Sequence, residues 1–187
     1  RSYRAKEEMR STPYDDLCTE LEADLAQHYR GFEATECRFP RIGEVGEPLV
    51  REYTGEVGSL ARREGNRLTL ELPGEKMGRL LSSLVDTERR AFDIVIALDL
   101  VQYDEIRISP PEGFVFSELP ADLMFPTAPL LYSLQFRMDD GDLVVNRRLV
   151  LGPGRFRPHE YADGVEQIKA IRRAEDSTLT LVKVSGD

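Results

Sequence analysis

The stretch Tyr132–Leu151, YSLQFRMDDGDLVVNRRLVL, decides the fold. Tyr132, Leu134, Phe136 and Met138 alternate with other residues up to a DDGD turn, and Leu143, Val145, Leu149 and Leu151 resume the alternation after it, with Arg147 breaking the series. Side chains of a strand point to opposite faces in turn, so a period of two on both sides of an Asp-Gly pair spells an antiparallel hairpin with one apolar face. The acidic turn is not a calcium loop: with Gly141 in the sixth position, Phe136 and Met138 would occupy the first and third ligand positions.

Working outward, the same texture runs from Phe32 onward as short alternating stretches separated by Gly, Pro and Asp. In GSLARREGNRLTLELPG, EGN joins two strands, and Leu68, Leu70 and Leu72 share a face of the second. FDIVIALDL followed by YDEIRISPPEGFVFSELP reads as a third strand pair, with PPEG at its corner. Two helices frame these strands. In TPYDDLCTELEADLAQHYRG, Thr12 suits the N-cap and Pro13 the first helical position, with Asp15 and Asp16 at the positive end of the helix dipole. Tyr14, Leu17, Leu21, Leu25 and one of His28 and Tyr29 form its apolar stripe, and Gly31 ends it. In RFRPHEYADGVEQIKAIRRAED, Pro158 opens a helix whose stripe is Tyr161, Val165, Ile168 and Ile171. It leads into a last strand, STLTLVKV, with Leu179 and Leu181 on one face. The expected fold is mainly β with two helices: an antiparallel β-sandwich over residues 32–187, preceded by a charged lead-in and helix over residues 1–31.

Composition excludes several function classes. A chain of 187 residues can bury roughly 70% of its unfolded surface, so a sizeable core is available. A net charge of -9, without a Lys/Arg stripe longer than a pair, argues against nucleic acid as a partner. The longest mostly apolar run, FDIVIALDLV, holds two aspartates and is too short to span a bilayer. Starting at Arg1, the chain is expected to be a piece of something longer or a processed chain.

Candidate chemistry is sparse. Cys18 and Cys37 fit no zinc or CxxC spacing and read as small buried hydrophobes; a single bridge between them is the alternative in an oxidising compartment. Cys18 and His28 lie ten residues apart on one helix, about 15 Å along its axis, too far for a nucleophile and its base. The two histidines lack metal-ligand spacing, the carboxylates show no pair in an apolar setting, and phosphate-loop and serine-elbow motifs are missing, so no cofactor, metal or catalytic residue is expected. Two other features could carry function. Leu123, Met124 and Phe125 in LPADLMFPTAPLLY would form an apolar loop, either an interaction surface for a peptide or glycan or a plug at one end of the sandwich. His159, Glu160 and Tyr161 are the acid-base candidates of an enzyme reading, against which Tyr161 reads as a helix anchor.

The order of elements in the second half resembles a known family. RRAFDIVIALDL, then YDEIRISPPEGFVFSELP, then LYSLQFRMDDGDLVVNRRLVLGPGRFRPHEY is similar to the C-terminal β-rich domain of bacterial transglutaminase-like proteins, in which it follows an N-terminal β-domain and a Cys-His-Asp papain-like core. The first helix and RGFEATECRFPRIGEVGEPLVREYTGEV resemble the junction from core to tail, extending the likeness over residues 12–184. His159 in PHEY and the segment from Glu75 to Thr87, which reads as a helix or loop, depart from the pattern. No position matches the motif contexts of the family's catalytic residues, so none is carried over. The resemblance implies a non-catalytic accessory domain whose partner is the adjacent core of its parent chain, in a bacterial periplasm or at the cell surface.

Overall fold

The computed structural model describes residues 7, 9–29, 31–44, 46–58, 60–82, 90–97, 99–127 and 129–184. The chain forms two compact units, Arg1–Leu60 and Ala61–Asp187.

In the first unit, helix α1 (Tyr14–His28) packs on β1 (Phe32–Arg38), which pairs antiparallel with β2 (Glu52–Val57). The helix and these strands share one core of Leu17, Leu21, Leu25, Phe32 and Phe39, so the compact unit extends beyond the 1–31 lead-in drawn from sequence. Pro13 is the N-cap and α1 has no side-chain cap; its carbonyl accepts from the Leu17 amide, and Thr12 lies one residue too early to serve. The His28 side chain lies outside the described residues, and Tyr29 packs against the core. Gly31 takes a positive φ of 75° where the chain turns into β1, as its reading as a stop requires.

The second unit holds β3 (Arg62–Glu64), β4 (Arg67–Glu71), helix α2 (Met77–Ser82), β5 (Ile94–Ile96), β6 (Leu100–Ile108), β7 (Phe114–Glu118), β8 (Leu123–Thr127), β9 (Leu130–Asp139), β10 (Asp142–Leu151), β11 (Gly154–Phe156), helix α3 (Tyr161–Glu175) and β12 (Thr178–Lys183). One antiparallel sheet runs β6-β10-β9-β8, a second runs β3-β4-β12-β7, and β11 pairs with β5. The chain is thus mainly β and antiparallel, with a helix near its start and another before its last strand, as its periodicity indicates. α2 is a further short helix at the start of the Glu75–Thr87 segment, of which residues 83–87 lie outside the described residues.

β9 and β10 form the expected hairpin, turning through Asp140 and Gly141 at positive φ, the backbone of a tight hairpin turn. Arg107 on β6 reaches both turn flanks, Asp139 at 2.5 Å and Asp142 at 3.1 Å, so the aspartates are held by a cation of the protein itself. The expected third pair does not form. β5 pairs with β11, β6 with β10 and β7 with β12, and the PPEG corner, closed by the Phe114 amide on the Pro111 carbonyl, carries the chain from one sheet to the other. Local alternation fixes which residues face inward but not which strand lies alongside. Residues 123–125 are likewise not a loop: they open β8, an edge strand paired with β9, with Leu123 and Phe125 half-buried and Met124 59% exposed.

Burial orders the consequences of truncation. Leu134, fully buried in β9, is expected to cost about 3 kcal/mol as Leu134→Ala. Val101, exposed on β6, is expected to stay within about 0.5 kcal/mol as Val101→Ala. Urea unfolding of the two variants measures the contrast; equal losses would contradict the assignment of faces.

Candidate functional site

Period two places Leu143, Val145, Arg147, Leu149 and Leu151 on one face of β10, so Arg147 continues the inward series rather than breaking it. The side chain is fully buried. Across the strands its register neighbours are Asp104 on β6 and Leu134 on β9. Helix α3 delivers the opposite charge: Glu175, four residues beyond Ile171 on the apolar stripe, is 1% exposed. These are the buried charged residues among those described, and both close on the segment Leu72–Gly78 between β4 and the first turn of α2.

That segment leaves the β4 ladder, and its polar groups find partners in side chains. The Arg147 guanidinium donates to the carbonyls of Pro73 and Glu75. The Glu175 carboxylate accepts from the amides of Met77 (3.1 Å) and Gly78 (2.7 Å), and Tyr132 Oη donates to its Oε1 at 3.0 Å. Lys76 Nζ donates to the carbonyls of Leu72 and Glu175, and lies 3.7 Å from Asp176. Gln102 on β6 donates to the Glu75 carboxylate at 3.0 Å. Two glycines permit the approach. Gly74 has a φ of 95°, and a Cβ there would collide with Arg147 Nη2; a Cβ on Gly78 would lie 2.9 Å from Glu175 Oε2.

The electrostatics follow from burial. Desolvation pushes the Glu175 carboxyl up, opposed by its hydrogen bonds from Gly78 and Tyr132 and by the Arg147 charge. Desolvation and the neighbouring Glu175 carboxylate push the Tyr132 phenol far up, so it remains a protonated donor. Desolvation lowers Lys76, with Asp176 acting the other way. A general acid or base must reach a substrate proton, and Glu175 is enclosed with its oxygens engaged. What this arrangement does chemically is hold β9, β10, α2 and α3 in register around one irregular segment.

The residues singled out from sequence do not converge on a second centre. The His159 side chain is exposed and lies 4.0 Å from Glu160 Oε1, while Glu160 Oε2 accepts the Arg157 amide beside the helix start. Tyr161 is buried, with the Arg90 guanidinium 5.6 Å from its ring centroid, which fits a helix anchor. Cys18 and Cys37 are joined in a disulfide with Cα atoms 5.9 Å apart, so of the two readings of these cysteines the bridge is the one the structure adopts. An apolar pocket is lined by Ile94, Leu130, Leu151, Phe156, Tyr161 and Ile168. No cluster of His, Cys, Asp and Glu able to hold a metal occurs among the described residues, and no described helix is long and apolar enough to cross a membrane.

The model of a family described as a domain of unknown function with a solved structure, DUF3858, matches residues 67–181. A solved structure with a similar fold is that of a "putative protease" from Parabacteroides distasonis ATCC 8503, with a TM-score of 0.52 and 14% identity. The likeness covers 64% of this chain and 24% of that one, so this chain spans about a quarter of the length of the protein it resembles. No curated protein matches the chain.

Glu175→Ala is expected to cost about 3 kcal/mol or more, because it leaves the buried Met77 and Gly78 amides and the Tyr132 hydroxyl without their acceptor. The sign of its pH dependence follows from the raised carboxyl. Between the ordinary value of 4.5 and the raised native one, the folded chain binds more protons than the unfolded chain, so the group's contribution to stability falls as pH rises through that window. The loss measured for Glu175→Ala by urea unfolding is therefore expected to be larger near about pH 4 than near about pH 8. Gly74→Ala, which meets both a disfavoured φ and the Arg147 guanidinium, is expected to cost about 2 kcal/mol or more in the same assay.

Proposed function

This chain belongs to the DUF3858 family, and from that premise we propose that it is a non-catalytic accessory domain which follows a transglutaminase-like core in its parent protein and helps to position or regulate it. The observation that carries this reading is the use of the enclosed ionisable groups: buried Arg147, Glu175 and Tyr132 and half-buried Lys76 hold one chain segment and are not aimed into an open cleft. The resemblance of RRAFDIVIALDL and the following stretches to the tail of such proteins points the same way. So does the likeness of the chain to a quarter of a longer protein described as a "putative protease", since a segment of that size leaves room for a separate catalytic core. A thioester-forming nucleophile needs a free thiolate, and both cysteines are tied in the bridge.

A second reading, an independent module that binds a peptide or glycan, draws on Met124, whose side chain stands exposed on the edge strand β8 between half-buried Leu123 and Phe125. Met124→Ser is expected to leave the melting temperature unchanged and Phe125→Ser to lower it.

The accessory reading is tested by assaying the purified chain against peptide-amide and γ-glutamyl substrates, and its parent protein with and without residues 61–187. The expected result is no turnover by the chain alone and altered kcat or KM in the shortened parent. Appreciable turnover by the chain alone, or a shortened parent with unchanged kinetics, would overturn it.

A further inference from the structure

The first unit lacks the means that hold the second. Its core is small, its sheet has two strands, and its helix has 15 residues, a length at which an isolated helix is marginal in water. Helix α1 is instead tied to β1 along one stripe at four-residue spacing. Tyr14 Oη donates to the Cys37 carbonyl at 2.6 Å, Cys18 is bonded to Cys37, and the Glu22 carboxylate accepts the Ala34 amide at 2.9 Å. Tyr14 also meets Phe39 edge-on, with ring centroids 6.0 Å apart. Of the three ties along the stripe, two are hydrogen bonds at or near the surface, each with a modest net contribution, and the central one is covalent. With a sequence separation of 19, the bridge raises the folded-to-unfolded ratio by roughly a hundredfold.

We propose that the Cys18–Cys37 bridge makes the first unit a redox-conditional fold: α1 and the β1–β2 pair hold together while the two sulfurs are joined and come apart when they are reduced, whereas the cysteine-free second unit folds in either state. Bridge formation requires a disulfide donor. The thiolate of one cysteine attacks the donor to give a mixed disulfide, the other cysteine displaces the donor's second sulfur as a thiol, and two electrons and two protons pass from the cysteines to the donor. Reduction is the reverse exchange, and both cysteines are only partly buried. Such a unit completes itself on arrival in an oxidising compartment and stays open where thiols are kept reduced.

The test uses the full chain, oxidised or reduced with dithiothreitol, alkylated with iodoacetamide to count thiols by mass, and then digested briefly with protease. Cleavage within residues 1–60 is expected to accelerate roughly a hundredfold on reduction, in the regime where cutting follows the open population, while residues 61–187 remain as resistant as before. A doubly alkylated chain that stays resistant over residues 14–57, or one whose two units become sensitive together, would overturn the proposal. If dithiothreitol does not open the bridge in the folded chain, the Cys18→Ser/Cys37→Ser variant takes the place of the reduced chain, with the same two contradicting outcomes.

Discussion

Burying Arg147 and Glu175 is the constraint to which much of the second unit answers. A charge withdrawn from water must be paired and hydrogen-bonded or it destabilises the fold by several kcal/mol. Arg147 donates through both terminal nitrogens to two carbonyls of a segment that has left its sheet, and Glu175 accepts from two amides of that same segment and from Tyr132. One irregular stretch of seven residues, Leu72–Gly78, is thereby fixed from β10, from α3 and, through Gln102, from β6. Its two glycines are part of the same solution, since a side chain at either would occupy space the charges need. A polar cluster of this kind specifies how elements meet, which apolar packing alone leaves adjustable.

The two units solve the problem of size differently. The second has enough strands to enclose Leu134, Leu143, Leu149, Ile171 and Leu179 fully, and can afford a polar cluster among them. The first encloses five hydrophobic residues and adds a covalent tie. The family match lies within the second unit, so the properties shared with that family are to be sought there.

Much of this could be read from the residues, because period two and period 3.6 report directly on which side chains face inward. The β9–β10 hairpin, the β3–β4 pair and the stripe of α3 follow from that alone. The pairing of β5, β6 and β7 with distant strands did not, because partner choice depends on contacts remote in sequence. Arg147 and Glu175 were the informative exceptions: each is a charge standing on an apolar stripe, and taking the stripe at its word would have placed both in the core. The reading of Arg147 as a break let the preference of arginine for the surface override the period. The joining of Cys18 to Cys37 was beyond reach for a similar reason, since it depends on how α1 lies on β1.

The Arg147–Glu175 cluster is a closed structural keystone of the second unit. Native-state hydrogen exchange at the Met77 and Gly78 amides tests it most directly, because both donate to Glu175 outside any β-ladder. The expected result is opening free energies for these two amides that match those of the β9 and β10 ladder, as members of one cooperative unit. Exchange at the rate of an exposed loop, while the ladder stays protected, would contradict it.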